Sequence, residues 1–365
     1  MRIGEGALWV AGRRPRPGRW LPVLCVALSL ACGGEPRGEP MLLVVPRGAS
    51  LHQVVDTLSA RGVIATRMKP VFRAYARLRG DDTAIRAGHY TFRRGERWST
   101  ILGDLTAGRV VSVRMTIPEG FTLRQIAPRI AAISGTDAEH VLTGLSADSA
   151  AGRHGVPGPG LEGYLFPDTY LFEPGTSVER VIGAMVRRYL AFWTPERREA
   201  LFRLGLTERE VVTLASIIQT EARRLDEMPA ISSVYHNRLR EGIPLQADPT
   251  VLYALGGPRP RLLYAAIDSV ADHPYNTYRR AGLPPGPIAA PGERALEAAL
   301  APPETDHLYF VARPDGSHVF TSTLAAHNLA KAQARREWDT ARAGVGVRSP
   351  ELDSARDVRP SSGPG

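Results

Sequence analysis

Two segments of this chain share one pattern, and that pattern constrains the fold more than any other feature. VPRGASLHQV at 45–54 and IPEGFTLRQI at 117–126 both follow the order apolar, Pro, x, Gly, x, Ser or Thr, Leu, x, Gln, apolar. Each predicts the end of a strand, a glycine turn, and a helix capped by Ser50 or Thr122. Because strands lead directly into helices in both copies, we expect an α+β fold.

The residues that follow the first copy complete a small module. GHYTF (88–92) and VVSVRMTI (110–117) have the alternation of strands, and STILGDLTAG (99–108) predicts a short helix that ends at a glycine. We therefore expect an α/β module over 42–116. Its size and element order resemble a LysM-like module, a fold that grips N-acetylated glycans. The alternative is a spacer or packing subdomain without a ligand.

The second copy opens a larger domain of mixed α+β character, expected over 117–342. HLYFVA and HVFTS flank the turn RPDGS and predict a β-hairpin. The helices predicted from apolar periodicity lie near 176–195, 207–224, 226–241, 292–301 and 323–341.

The N-terminal segment, 1–32, has the pattern of an export signal. RRPRPGRW is followed by an apolar run of about twelve residues that ends in small residues. LSLAC resembles a bacterial lipobox, which would make Cys32 a lipidated residue, although Ser29 stands where such motifs usually have Leu. A cleaved signal and a retained membrane anchor are the alternatives. The folded part is then expected outside the cytoplasm, most simply on the periplasmic side of the inner membrane.

Composition marks the remaining boundaries and narrows the chemistry. Residues 33–41 are rich in Gly, Pro and Glu and predict a linker, while 343–365 predict a disordered tail. Both cysteines, Cys25 and Cys32, precede these segments, so disulfides and cysteine metal sites are excluded from the folded part. The net charge of +9 comes from dispersed arginines, which does not favour nucleic-acid binding. The sequence lacks P-loop, GxSxG and HExxH motifs, and no cofactor or metal is expected.

One predicted helix carries a carboxyl group inside its apolar face. LTEREVVTLASIIQTEA places Thr207 three residues before Glu210, the spacing of a capping box, so the helix should begin near Thr207. At about 100° per residue, Glu221 falls within the apolar arc. Loss of hydration should raise the pKa of this carboxyl, and a carboxyl protonated near neutral pH can act as a general acid. The structural alternative is an ion pair with Arg224.

Three further segments combine aromatic and polar residues in the manner of a sugar-binding cleft. LEGYLFPDTYLF (161–172) includes Glu162, and the others are YHNRLREGIPLQADPTVLYALG (235–256) and HPYNTYRRAGLPPGPIAAPG (273–292). Aromatic rings stack on sugar faces, while Asn, Gln and Asp hydrogen-bond to hydroxyl and acetamido groups. The alternative is that the aromatic residues form core and that the Pro/Gly-rich segment is a rigid cover.

The motif set resembles a known family, the YceG-like endolytic murein transglycosylases or MltG family. The matching segments, in order, are EGYLFPDTY, LASIIQTEA, VYHNRL, IPLQADPTVLYALG, YNTY, GLPPGPIAAPG, LYFVA and HVFTSTLAAHN. The resemblance covers roughly residues 42–335. It implies a cell-envelope enzyme that cuts peptidoglycan between N-acetylmuramic acid and N-acetylglucosamine and leaves a 1,6-anhydro end.

The resemblance also implies which residues act. The catalytic Glu of the family lies in the segment matched by ASIIQTEA; many members have two Glu there, and here the first is Gln219, so Glu221 is the catalytic candidate. The candidates for positioning the glycan match other motif positions, with Asp248 a possible second carboxylate and Glu162 a weaker candidate near the cleft. These positioning residues are Asn237, Gln246, Asp248, Tyr275 and Asn276.

Two hypotheses from different classes remain at this point. The first is a membrane-attached lytic transglycosylase that acts on peptidoglycan strands, with synthetic penicillin-binding proteins as partners implied by the family. The second is a glycan-binding scaffold that recruits cell-wall synthases without cutting. A muramidase that admits water is a variant of the first and differs only in its product. Retention of Glu221 favours the enzyme.

Overall fold

A computed structural model describes residues 36–259 and 262–345 of the chain. The predicted export signal of 1–32 lies outside the described residues, as does the predicted tail beyond 345. The chain divides into two compact units, one up to Val113 and one from Arg114. Within the described residues, no helix is both long enough and apolar enough to cross a bilayer.

The first unit is built on a two-stranded antiparallel sheet, in which β1 (Arg37–Val45) pairs with β2 (Gly88–Arg94). Two helices lie between the strands in sequence, α1 (Leu51–Ala60) and α2 (Lys69–Leu78), and α3 (Trp98–Ala107) follows β2. The buried side chains of strands and helices form one apolar cluster. Because apolar residues of β1 and β2 alternate toward it, each helix has a surface on which to bury its apolar face.

One predicted boundary of this unit is wrong. The linker predicted over 33–41 overlaps β1, since the strand begins at Arg37 and its register with β2 is irregular between Arg37 and Met41. Backbone pairing with β2 stabilises these residues although their composition lacks the apolar alternation of a strand. The strand predicted at 110–117 is also shorter in the structure, where β3 spans only Val113–Thr116.

The repeated pattern forms the predicted structure in both places. Ser50 and Thr122 are the N-caps of their helices, and each closes a reciprocal capping box with the glutamine three residues later. The glycine turns at Gly48 and Gly120 have φ of 77° and 76°, values that residues with a side chain rarely adopt. The same local sequence therefore starts α1 in the first unit and α4 in the second.

The second unit is mostly helical, with β3 paired to β4 (Thr169–Phe172) and a separate hairpin of β5 (Tyr309–Ala312) and β6 (His318–Thr321). The hairpin confirms the prediction at HLYFVA and HVFTS. The helices of this unit are α4 (Leu123–Ser134), α5 (Ala138–Ser146), α6 (Ala150–Arg153), α7 (Val178–Leu190), α8 (Pro195–Leu204), α9 (Glu208–Glu221), α10 (Met228–Arg240), α11 (Asp248–Ala254), α12 (Tyr264–Ser269), α13 (Glu293–Leu300) and α14 (Leu324–Val345).

Helix α9 is the centre of this unit. It begins after Thr207, whose side chain accepts from the Glu210 amide while Glu210 reaches back to the Thr207 amide, which confirms the predicted capping box. Every residue from Val211 to Ile218 is buried, and the helix packs against α10, α11 and α13. A helix enclosed on all sides in this way gives a rigid mounting for the side chain at its C-terminal end.

Candidate active site

Glu221 is the last residue of α9, and it is held by a partner from each of the two next helices. The hydroxyl of Tyr235, a buried residue of α10, donates to Glu221 Oε1 at 3.1 Å. The backbone N–H of Asp248, at the start of α11, donates to the same carboxyl group. Ala222 leaves the helix in an extended conformation, so Glu221 lies where the buried helix ends.

The surroundings of Glu221 raise its pKa to about 7. Burial is the largest cause, and the negative charge of Asp248 adds to it, while the hydrogen bonds from Tyr235 and from the Asp248 backbone act in the opposite direction. A carboxyl group with this pKa is substantially protonated near neutral pH. It can therefore give a proton to a substrate and afterwards take one back.

The alternative interpretation, in which Glu221 is the ion-pair partner of Arg224, is wrong. Arg224 lies beyond the end of α9 and pairs with Asp226 at 3.0 Å, with both side chains exposed. The helix ends at Glu221, so the spacing of one helical turn that would have joined Glu221 to Arg224 does not exist. Glu221 is left without a compensating cation, and this is why burial dominates its pKa.

The loop that precedes α11 is held in a strained conformation by Thr277. Gln246 has φ of 51°, the one positive value on a residue other than glycine among the described residues. Its backbone N–H donates to the Thr277 carbonyl at 3.0 Å, and Thr277 Oγ1 accepts from the Ala247 N–H at 3.0 Å and meets Thr250 Oγ1 at 2.8 Å. Strain of this kind costs roughly 1–3 kcal/mol and persists where the surrounding contacts enforce it. Here the contacts place the Asp248 N–H against Glu221.

Of the predicted positioning residues, Asp248 and Gln246 are exposed, and Asp248 is close enough to Glu221 to affect its pKa. The Asp248 carboxylate accepts from the Tyr278 hydroxyl, and the guanidinium of buried Arg238 lies 3.5 Å from Gln246 Oε1. Both side chains can still offer polar atoms to a ligand. Their direct contact with a glycan stays a prediction.

Asn237 and Asn276 use their amide groups inside the protein. Asn237 Nδ2 donates to the carbonyls of Thr305 and His307 at 2.9 and 2.8 Å. Asn276 is fully buried; its amide nitrogen donates to two backbone carbonyls at 2.9 and 3.0 Å, and its amide oxygen accepts from the Tyr278 N–H. Engaged in this way, both residues hold backbone segments in place, which supports a positioning role without direct contact with the sugar.

A cleft of about 600 Å³ lies within the second unit. Thr220 and Pro249 line it, and they are the chain neighbours of Glu221 and Asp248. Tyr253 and Glu162 line it further along, and the Tyr253 ring is 4.9 Å from the ring of Tyr275. Its volume is that of typical small-molecule sites. Among the residues that the structure describes, no group of His, Cys, Asp and Glu is arranged to hold a metal ion.

Comparison with known proteins decides the family. The model of the YceG-like family matches residues 43–333, which is most of the chain. The chain belongs to the YceG-like family. It is 36% identical over 303 residues to the endolytic murein transglycosylase of Bacillus subtilis, covering 79% of this chain and 82% of that relative.

More distant YceG-like relatives and a solved structure agree with this assignment. The endolytic murein transglycosylase of Streptococcus pneumoniae serotype 2 is 29% identical over 297 residues, and this chain spans only about half of it, 53%. The crystal structure of a YceG-like protein from Listeria monocytogenes superposes with a TM-score of 0.54 at 32% identity. That match covers 80% of this chain and 99% of the other.

In this YceG-like chain Gln219, two residues before the catalytic candidate, has a structural contact. Gln219 Oε1 accepts from the Gly292 N–H at 2.9 Å and so ties α9 to the start of α13. Tyr235 and Thr277, by contrast, are site residues to which the sequence analysis assigned no role. Both lie inside motifs given above, VYHNRL and YNTY. Their hydrogen-bonding side chains are the sequence feature that could have marked them as site residues.

Proposed function

We propose that this YceG-like protein is a peptidoglycan lytic transglycosylase that uses Glu221 as its single proton-transferring group. The observation that carries the proposal is the environment of Glu221, a carboxyl with a pKa of about 7 that is held by Tyr235 and by the Asp248 backbone and follows Thr220, a residue of the cleft lining. The curated relatives named endolytic murein transglycosylase support the same reaction.

The proposed reaction needs one acid because the nucleophile belongs to the substrate. Protonated Glu221 would give its proton to the glycosidic oxygen between N-acetylmuramic acid and N-acetylglucosamine as that bond breaks. The resulting carboxylate would then take the proton of the muramic acid 6-hydroxyl, whose oxygen closes the 1,6-anhydro ring on C1. The 6-hydroxyl is tethered to the reacting carbon, so its effective concentration is high and no activated water is required.

Asp248 is proposed to assist through its charge. Its carboxylate lies near enough to Glu221 to raise the pKa of that group, and a negative charge there also favours the oxocarbenium-like state of the breaking bond. Gln246 is proposed to contact the glycan from the strained loop. Asn237, Asn276 and Tyr275 would support the surrounding segments.

Attachment and partners are further parts of the proposal. The pattern of residues 1–32 supports attachment to a membrane, with lipidated Cys32 as one route, and a location in the cell envelope. The strand–helix–helix–strand order of the first unit supports a LysM-like module that holds glycan. Penicillin-binding proteins would be partners if cutting is coupled to strand synthesis.

The test of the proposed function is mass spectrometry of the fragments that the full chain, purified in detergent, releases from isolated peptidoglycan. We expect new 1,6-anhydro-muramic acid ends, with interior cuts that give long strands. Fragments with reducing ends would show a hydrolase that uses water. A folded protein that binds the polymer and releases nothing would instead show the glycan-binding scaffold.

The cleavage rate is expected to fall as pH rises through about 7. Glu221 must be protonated to act as the acid, and above its pKa of about 7 the protonated fraction drops tenfold for each pH unit. The measurement is kcat/KM for release of anhydro ends between pH 5 and 9. A rate that rises steadily across this range would contradict the assignment of Glu221 as acid.

Asp248→Asn should shift the fall in cleavage rate to lower pH. The charge of Asp248 is one of the causes that raise the pKa of Glu221, so its removal lowers that pKa. The surface variant Asp226→Asn, which removes an exposed carboxylate paired with Arg224, is the matched control and should leave the pH dependence of the rate unchanged. If the cleavage rate of Asp248→Asn falls at the same pH as that of the parent, the two carboxyl groups are not electrostatically coupled.

A further inference from the structure

Glu162 is a second carboxyl group that lines the cleft, and the proposed reaction does not use it. It belongs to the segment between α6 and β4, and it reaches the first turn of α4. The Leu123 N–H donates to both of its oxygens, at 3.1 and 3.3 Å, and the Gly163 N–H and the Tyr253 hydroxyl also donate to it, the latter at 3.4 Å. The carboxyl group is thus fixed in place by three donors.

These contacts do not keep Glu162 ionised. Burial raises its pKa to about 8, and this outweighs the hydrogen bonds from Leu123, Tyr253 and Gly163, all of which favour the charged form. At neutral pH the group is mostly a carboxylic acid, with one O–H to donate. Both backbone partners are donors and cannot accept that proton. Among these partners, the phenol oxygen of Tyr253 is the one that can accept a hydrogen bond from the protonated Glu162.

The charged and titratable groups that face Glu162 come from three elements. Tyr253 lies on α11, and Tyr275 lies in the loop after α12; burial raises the pKa of both tyrosines, so both stay neutral up to high pH. Arg124 on α4 is a basic residue of the cleft lining. Among the lining residues that the structure describes, Glu162 is therefore the one carboxyl group, and its charge changes near pH 8.

The lining combines apolar side chains, those of Leu123, Leu142, Leu252 and Pro258, with polar ones such as Gln125 and Ser146. A neutral donor in a lining that also has apolar side chains fits a ligand group that combines a carbonyl oxygen with a methyl group. The 2-acetamido group of an N-acetylated sugar has this composition, and the cleft of about 600 Å³ is large enough for a sugar ring that carries it.

We propose that protonated Glu162, together with the Tyr253 hydroxyl, binds the acetamido carbonyl of an N-acetylated sugar in this cleft. Glu162 is then a substrate-positioning residue of a subsite separate from the proton transfer at Glu221. The inference rests on the proposed function, since it takes the glycan as the ligand of the cleft. Ionisation of Glu162 removes its donor and sets a negative charge against the carbonyl oxygen, so the subsite loses affinity in alkaline solution.

The experiment measures binding of tetra-N-acetylchitotetraose to the full chain by calorimetry, in a Glu221→Gln background so that nothing is cut. This probe has no ionisable group between pH 6 and 9. We expect Kd to be up to about tenfold weaker at pH 9 than at pH 7, because one unit above a pKa of about 8 roughly a tenth of Glu162 keeps its proton.

Glu162→Gln is the decisive variant, because its amide has the shape of the protonated acid and keeps both a donor and an acceptor. It should bind at pH 7 nearly as well as the parent and lose the pH dependence. Glu162→Ala should bind weakly at both pH values. Should the alanine variant fail to fold, the glutamine comparison is sufficient by itself. Cellotetraose, which lacks acetamido groups, should show no difference between parent and Glu162→Gln.

Three results would overturn the inference: affinity that is flat from pH 7 to 9 in the parent, a pH dependence that persists in Glu162→Gln, or a glutamine variant as weak as alanine. A purely structural role for Glu162 predicts a change in melting temperature without any change in the pH dependence of Kd. The inference and the proposed function fail separately. Cleavage of peptidoglycan with flat binding rejects the subsite alone, and pH-dependent binding without cleavage rejects the enzyme alone.

Discussion

Glu221→Gln is expected to lower the rate of glycan cleavage by at least about 10²–10⁴-fold, the contribution typical of a positioned general acid. Glutamine has nearly the same shape and can accept one hydrogen bond from Tyr235 or from the Asp248 backbone, but it has no proton to transfer. The measurement is release of anhydro ends from peptidoglycan. Glu241→Gln, an exposed carboxyl-to-amide change just after α10, is the control and should retain full activity.

The same variant should keep or gain stability at pH 8. The pKa of Glu221 is raised from 4.5 to about 7 in the folded protein, so the native state binds more protons than the unfolded state in this interval. The free energy of unfolding therefore falls as pH rises from about 4.5 to about 7, and removal of the ionisable group relieves this cost. Melting curves of the parent and of Glu221→Gln at pH 4 and pH 8 measure this difference in stability. Marked unfolding of Glu221→Gln at pH 8 would indicate that the carboxyl group is structural.

Gly163→Ala is expected to cause the largest loss of stability, about 2–5 kcal/mol in the free energy of unfolding. Gly163 has φ of 84°, and a Cβ there would lie 2.5 and 2.7 Å from the ring carbons of Pro287 and 3.2 Å from Val212 on α9. The proline ring cannot rotate away, and the helix is enclosed by its neighbours. The change therefore combines backbone strain with overpacking.

Gly175→Ala is the matched control for this prediction. Gly175 has φ of 74° and is exposed, and a Cβ there would have no atom within 4 Å. It should show only the backbone cost, about 1–2 kcal/mol. Chemical denaturation followed by fluorescence gives both values. Equal losses in the two variants would mean that close packing between Gly163 and Pro287 does not contribute.

The match over residues 43–333 confirms the predicted family membership. The assignment of the reaction therefore rests on most of the chain and not on Glu221 alone. The α+β class is also confirmed. The structure adds a chemical distinction between two carboxyl groups with raised pKa values, Glu162 in the cleft lining and Glu221 next in the chain to the lining residue Thr220. Glu221 has a neighbouring negative charge and stands at the end of a rigid helix, whereas Glu162 is surrounded by donors that stay neutral. The first arrangement suits transfer of a proton, and the second suits binding of a neutral acceptor.

The amino-acid sequence by itself determined the elements that depend on near neighbours in the chain. The capping boxes at Ser50, Thr122 and Thr207, the glycine turns, the start of the helix that carries Glu221 and the final hairpin are all set by residues within a few positions of one another. Interactions of this range have fixed geometry once the local conformation forms, so spacing alone predicts them.

Only the tertiary structure decided which partners the site residues have. Tyr235 reaches Glu221 from the next helix, Thr277 holds the loop at Gln246, and Asn276 turns its amide inward to backbone carbonyls. Arg224 pairs with Asp226 because α9 ends before it can return to Glu221. The physical reason is that each of these contacts depends on how helices pack and where they end. Sequence spacing does not specify this, and burial then decides which carboxyl group keeps its proton.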